Sequence, residues 1–312
     1  MFSVVVPVYR NEKMLPAVVE RLKDMNKLLG GEVEAVFVVD GSPDNSYNVL
    51  RQILPASGLT SELVCLSRNF GSFAAIRQGL AVAQGPFFAV MAADLQEPSD
   101  LIVEFFRMLS GGSVDVTVGV RTGRSDPLLS SVSSRLFWWA YRKLIQPEVP
   151  QGGVDVFGCN AAVRDALLQL GESNSSLVGL LFWLGFRREN VPYERLPRAH
   201  GSSGWTFRRK VRYLFDSAFS FTDLPITALL SVGVFGIVGS VGLALFVLTM
   251  KLVGAISVPG YTPIVLVQMF TLGVTMFGLG IVGSYVWRTF ENSKGRPLYV
   301  PLSRESYRKD RS

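Results

Sequence analysis

The sequence predicts an α/β domain built on a mostly parallel sheet, followed by an interfacial helix and two transmembrane helices. Three observations carry that expectation. Short β-rich runs alternate with helical patterns through residues 1–205, charges are spread throughout that part, and from Ile226 to Trp287 the only charged residue is Lys251. Alternating strands and helices fold with helices on both faces of a parallel sheet. An uncharged segment of about 20 residues is long enough to cross a bilayer as a helix.

The elements follow in chain order. Phe2–Val8, Val33–Val39, Leu63–Leu66, Phe87–Ala92 and Val114–Val120 are apolar, β-branched runs that read as buried strands. Met14–Leu29, Tyr47–Leu54, Ala74–Ala83 and Leu101–Leu109 carry helical periodicity between them. In Phe207–Phe221, residues Phe207, Val211, Leu214, Phe215 and Ala218 share one helical face, with Arg and Lys on the other, as in a helix lying among lipid headgroups. Leu128–Ile145 sets Trp138, Trp139 and Tyr141 beside Arg135, Arg142 and Lys143, which fits either a membrane boundary or packing on the domain's own core. Ile226–Met250 and Pro263–Trp287 are the two expected spans, joined by the turn Val258-Pro-Gly-Tyr-Thr-Pro263.

Charge sets the expected orientation. Arg208, Arg209, Lys210 and Arg212 precede the first span, and Arg288, Lys294 and Arg296 follow the second. Basic residues gather on the cytoplasmic side, so both termini are expected on the cytoplasmic face of the membrane. The opening Met1-Phe-Ser-Val-Val-Val-Pro7 lacks a basic leader and does not read as a signal peptide. The organisation expected is a cytoplasmic domain over 1–205, an amphipathic helix over 206–224, a transmembrane hairpin over 225–288 and a cytoplasmic tail over 289–312. A net charge of +6 suits a surface facing anionic lipid and phosphate, with no sign of a nucleic-acid partner. Two cysteines, Cys65 and Cys159, suit a reduced interior rather than a disulfide framework.

The chemistry is narrowed by what is missing. His200 is the only histidine, which excludes metal sites built from several imidazoles, and neither a P-loop nor a dinucleotide-binding glycine turn follows a strand. What remains is acids and amides at strand ends. Asp40, in Val39-Asp40-Gly41-Ser42-Pro43-Asp44, is placed either to bind a base or ribose or simply to close an Asx turn. Asp94 and Gln96 stand two residues apart after another apolar run. In an open α/β sheet ligands bind outside the carboxyl ends of the strands, and two oxygen-bearing side chains there suit a hard cation on a diphosphate.

Val4-Val-Val-Pro7-Val-Tyr9-Arg-Asn11-Glu12 and the Asp40 turn together resemble the motifs of inverting family-two glycosyltransferases. Leu66-Ser-Arg68-Asn69-Phe70-Gly71, Asp94-Leu95-Gln96-Glu97-Pro98 and Gly119-Val-Arg121 are similar to the polyprenyl-phosphate branch of that family, which includes dolichol-phosphate mannose synthases and bactoprenol glucosyltransferases. The closing Lys294-Gly-Arg-Pro-Leu-Tyr299 resembles the bacterial two-span members, so the similarity covers essentially the whole chain. The resemblance implies a GT-A fold and inverting transfer of a sugar from a nucleotide-diphosphate donor to polyprenyl (undecaprenyl) phosphate, for envelope glycan synthesis. It assigns Pro7, Tyr9, Glu12 and Asp40 to the donor nucleotide, and Asp94 and Gln96 to Mg²⁺ or Mn²⁺. Arg121, Arg124, Arg198 and Ser203 fall to the acceptor phosphate, and Asp155, with Asp94, to catalysis. A homo-oligomer is compatible with the resemblance.

Three departures stand out. Ala92 takes the place of one acid in the usual Asp-x-Asp-x-Gln, Val39 that of an acid before Asp40, and Gly204 that of a Lys. One acidic ligand fewer implies weak metal binding without donor. Two rivals follow. A processive polysaccharide synthase is opposed by the absence of Gln-x-x-Arg-Trp. A non-catalytic membrane partner that retains the fold is favoured by Ala92 and Val39 and opposed by the acids and arginines that are kept.

Overall fold

A computed structural model describes residues 1–122, 139, 141–143, 145–150, 154, 156–172, 175–196, 207–253 and 261–308. Arg124, Asp155, Arg198 and Ser203 lie outside the described residues, as does the Gly204 departure.

Four parallel strands form the centre of the sheet: β1 (Phe2–Val8), β2 (Val33–Val39), β3 (Thr60–Leu66) and β4 (Phe87–Val90). All seven residues of β2 are buried, which explains why it reads as a continuous Val/Phe run rather than an alternating one. β5 (Val116–Arg121), β6 (Phe157–Asn160), β7 (Arg188–Tyr193) and β8 (Pro301–Tyr307) complete an eight-stranded sheet in the order β7-β5-β6-β4-β1-β2-β3-β8. β6 runs antiparallel to both β4 and β5, so β5 points the same way as β4, and β7 is parallel to β5. The carboxyl ends of β1, β2, β3, β4, β5 and β7 therefore share one edge. Order reverses between β1 and β4: the chain winds outward through β2 and β3, then returns to the other side of β1.

Helices α1 (Leu15–Leu28), α2 (Ser46–Ile53) and α4 (Ser99–Ser110) cover one face, and α3 (Ser72–Val82) covers the other with α5 (Ala161–Gln169) and α6 (Leu177–Trp183). Val4, Val6, Phe37 and Phe105 belong to the first core, and Val5, Val38, Leu80 and Phe88 to the second, as the two-residue alternation of a strand requires. Gly79 of α3 allows the helix to approach β1, since a Cβ there would stand 2.2 Å from the Val5 side chain.

The structure moves some expected boundaries. β3 begins three residues earlier than its apolar run because Thr60 pairs with Glu34. β4 stops at Val90, although Met91 still donates to the Val5 carbonyl before the chain leaves the sheet. β5 is shifted to Val116–Arg121. The expected tail is partly structured, since Pro301–Tyr307 adds an antiparallel edge strand to β3. Buried Glu62 holds it, accepting from Arg304 Nε at 2.7 Å and Ser306 Oγ at 2.7 Å.

After the sheet come α7 (Phe207–Phe221), α8 (Leu224–Leu252) and α9 (Tyr261–Ser293). α7 docks on α6: the Tyr213 ring stacks on that of fully buried Tyr141 at 5.6 Å, and its hydroxyl donates to Ser176 Oγ at 3.0 Å. The expected apolar face of α7 is divided, because Leu214 packs on the core while Phe215 is exposed. Tyr141 likewise belongs to the core, while Trp139 is exposed. Phe270–Ser293 is the described segment long and apolar enough by itself to cross a membrane. Tyr213–Phe221 and Leu224–Gly236 meet that measure only as a pair, bent by 81°. The described helices thus give one helix long and apolar enough to cross a membrane, or up to two if the bent pair is one span, which does not confirm the two spans expected.

Candidate active site

The edge where β1 and β4 diverge gathers most of the described candidates. In such sheets the reversal of strand order opens a crevice, because successive connections leave on opposite faces. After β1, Tyr9 is 40% exposed and Arg10 adopts a left-handed backbone (φ 57°). After β4, Leu95 does the same (φ 56°) between Asp94 and Gln96. Left-handed non-glycine residues carry strain and cluster at functional sites.

The β1 and β2 loops are stitched together. Arg10 N–H donates to Ser42 Oγ (2.8 Å), which donates to Asp44 Oδ1 (2.6 Å). Glu12 N–H donates to Asp44 Oδ2 (3.2 Å), and Glu12 Oε2 accepts from Asn45 N–H (3.1 Å). Burial pushes the Asp44 carboxyl up, but donors from Ser42, Ser46 and Glu12 outweigh it and hold the group below the usual carboxylate value. Glu12, expected on the nucleotide, therefore also fixes the loop that precedes α2.

Asp40 is committed further. It is 3% exposed, and its two oxygens accept from Phe70 N–H at 2.7 Å and Gly71 N–H at 2.8 Å. Gly41 (φ 54°) fits beneath the same loop, where a Cβ would stand 2.2 Å from the Arg68 carbonyl carbon. The close approach that Gly41 permits is thus made by the chain's own backbone. Burial raises the Asp40 pKa, and the two N–H donors only partly counter it.

Asp94 and Gln96 differ. Asp94 is partly exposed, and one of its oxygens accepts from Gln96 N–H at 3.4 Å. Gln96 is buried and bonded both ways to the segment after β7: its Nε2 donates to the Leu196 carbonyl (3.2 Å), and Leu196 N–H donates to its carbonyl (2.8 Å). Its side-chain Oε1 is buried without a hydrogen-bond partner. A buried amide oxygen left unpaired costs about 1–3 kcal/mol, so it is a natural acceptor for a cation. Among the described residues no group of three or more His, Cys, Asp or Glu could hold a metal. One carboxylate and one amide oxygen are too few for a resident ion, but they suit Mg²⁺ arriving with phosphate oxygens and water. Arg121 closes the same edge as the last residue of β5, where it faces Tyr193 of β7 in register. Pro7, by contrast, lies within β1. The Leu196 contact was missed by sequence reasoning, because nothing local links two backbone segments 100 residues apart.

Residues 3–171 match the family described as Glycosyl transferase family 2. The chain belongs to that family. It is a glycosyltransferase with a GT-A-like domain. It is 31% identical to "Putative glycosyltransferase CsbB" of Bacillus subtilis (strain 168), over 96% of this chain and 91% of that protein. It is 27% identical to the bactoprenol glucosyl transferase of Shigella phage SfV, over 96% and 97%. Among solved structures, glucosyl-3-phosphoglycerate synthase from Mycobacterium tuberculosis in complex with uridine-diphosphate is similar at 20% identity and a TM-score of 0.47, covering 69% of this chain and 78% of that one.

Proposed function

We propose that this glycosyltransferase moves a sugar, with inversion, from a nucleotide-diphosphate donor to polyprenyl phosphate at the cytoplasmic face of a bacterial membrane. The observation that carries the reading is the grouping of Tyr9, Asp94, Gln96 and Arg121 on one sheet edge, in a chain whose helices α8 and α9 expose Phe235, Val238, Phe270 and Phe277. The relatives named as bactoprenol glucosyl transferases support the lipid acceptor.

Donor and acceptor would divide the edge. The nucleotide would lie over the stitched β1 and β2 loops, against Pro7, Tyr9 and Glu12, with Asp40 holding the floor beneath it. Asp94 and Gln96 Oε1 would hold Mg²⁺ or Mn²⁺ on the diphosphate. Such an ion neutralises the charge of a departing diphosphate when bound. Arg121, with Arg124, Arg198 and Ser203, would orient the acceptor phosphate, for which planar guanidinium groups are matched. The acceptor's second pKa is near about 6, so at neutral pH it is mostly dianionic and needs placement more than deprotonation by Asp155.

Chain connectivity supports two membrane crossings rather than one. β8 follows α9 yet pairs with β3, so the chain must return to the side on which the domain lies. If α9 spans, α8 supplies the other crossing. Its 29 residues reach about 43 Å at 1.5 Å per residue, and Leu230, Phe235, Val238 and Phe246 are all more than half exposed. The 81° bend before α8 lays α7 along the surface that α8 would pierce.

The deciding experiment incubates purified protein with undecaprenyl phosphate and a panel of nucleotide sugars, with and without Mg²⁺ and Mn²⁺. A lipid-linked sugar from one donor, dependent on metal, is expected. Failure with every donor would return the non-catalytic partner to favour, and metal-independent product would remove Asp94 and Gln96 from the ion.

A further inference from the structure

A second cavity, of about 270 Å³, lies between α3, α6 and the segment that follows α9. None of the residues assigned to donor, metal or acceptor lines it. Its walls mix apolar side chains, among them Phe70, Phe73, Leu177 and Leu298, with polar groups of Ser72 and Ser175. Arg77 also lines it, although it is only 6% exposed. The Arg77 Nη2 donates to the carbonyls of Leu168 and Leu170, which ties the guanidinium to the end of α5. Its Nε and Nη1 are buried without hydrogen-bond partners, and so is Oγ of Ser175 in the same lining. Burial lowers the Arg77 pKa, and the Glu172 carboxylate only partly opposes that.

A buried guanidinium with two unpartnered nitrogens is costly unless an anion meets it. The cavity also reaches the first turn of α3, where Gly71, Ser72, Phe73 and Ala74 all contribute. Asp40 already holds the Phe70 and Gly71 amides just ahead of this 11-residue helix, which leaves the first-turn amides of Ser72, Phe73 and Ala74, without a side-chain cap, as further donors. The volume falls below the roughly 300–1,000 Å³ typical of drug-sized ligands, which argues against a nucleotide sugar. A phosphate with a short apolar or glycerol-sized body suits it better.

We infer that the α3–α6 cavity binds a phosphoryl group, with Arg77 and the α3 N-terminus as its anchor. Two sources of that chemistry reach it. Leu298 lies just past the end of α9, and α6 is backed by α7, where a Cβ on Gly179 would stand 2.3 Å from the Phe221 ring. The walls are therefore joined to the apolar helices, which places a lipid headgroup within reach. Free phosphate is the other source. Glu172, exposed at the rim, is the one carboxylate in the lining and opposes the anion. The inference stands apart from the proposed reaction.

The test uses full-length protein in neutral detergent. One arm titrates inorganic phosphate calorimetrically; the other measures retention of phosphatidylglycerol against phosphatidylcholine by native mass spectrometry. Wild type should bind phosphate, or retain phosphatidylglycerol selectively. Arg77→Met should weaken that binding about tenfold or more, as expected for lost charge-assisted hydrogen bonds. Glu172→Gln, at an exposed position, should strengthen it several-fold. Binding in one arm alone identifies the source, and binding in both also upholds the site. No binding in either arm overturns the inference, as does equal binding by wild type and Arg77→Met. So does a loss in Arg77→Met unaccompanied by a gain in Glu172→Gln, because that pattern reports damage to α3 rather than a ligand beside both residues.

Discussion

Asp40 and Asp94 follow two strands of one sheet and leave the same edge, yet the fold uses them in opposite ways. Asp40 is buried, and both oxygens are spent on backbone amides of the β3–α3 loop. Asp94 is partly exposed, beside an amide oxygen with no partner. A carboxylate at a strand end is thus no sign of ligand binding by itself. What separates the two is burial: Asp40 is closed under the β3–α3 loop, while Asp94 stays partly open to solvent.

The strongest way to break that contrast is through activity. Asp94→Ala should lower kcat/KM for the donor-to-lipid reaction by about 100-fold or more, with little change in melting temperature. Asp155→Asn should leave more activity than Asp94→Ala, and an equal loss in both would restore a general base to the centre of the chemistry. Asp40→Asn should act on stability first. Losing one of two charge-assisted acceptors costs roughly 1.5–3 kcal/mol in denaturant unfolding, whatever donor is present. A melting curve like that of wild type would show that Asp40 serves the ligand and not the loop.

The pH dependence sharpens the distinction between strand-end acids. Asp44 sits below the usual 3.8, so its ionised form stabilises the fold, fully above that value and progressively less as pH falls through its lower folded value. The deficit of Asp44→Asn should therefore shrink on acidification below about pH 4. Asp40 sits above 3.8, so its ionised form is penalised by burial and the penalty lifts as pH falls toward 3.8. The deficit of Asp40→Asn should widen over that range. Parallel trends in urea unfolding would refute the assignment of the two shifts. The smallest effect is expected at Gln96. Gln96→Met removes an unsatisfied oxygen along with one bond to Leu196, so stability should change by less than about 1 kcal/mol. Mn²⁺ binding in the presence of nucleotide diphosphate should nevertheless weaken, and donor-free protein should bind the ion poorly either way.

The central strands were legible because burial on both faces makes them rich in Val, Phe, Leu and Ala, with helices between them. β7 and β8 were not. Arg-Glu-Asn-Val-Pro-Tyr and Pro-Leu-Ser-Arg-Glu-Ser-Tyr are polar because each has an exposed edge, and partners 71 or more residues away leave no local trace. In the site, the strand-end positions of Asp94 and Gln96 could be read from spacing. The use of Asp40 by Phe70 and Gly71, and the mutual hold of Gln96 and Leu196, depend on loops brought together only by the fold.

The pairing of β8 with β3 carries a consequence for biosynthesis. The ribosome makes residues 301–307 only after α8 and α9, so the newborn domain waits with the edge of β3 bare and Glu62 deprived of Arg304 and Ser306. An open hydrogen-bonding edge invites pairing with other chains. Cutting the protein at residue 205 to obtain a water-soluble enzyme would make that transient condition permanent. Supplying 295–308 as a separate peptide, or splicing it behind the domain, should cover that edge and suppress the pairing.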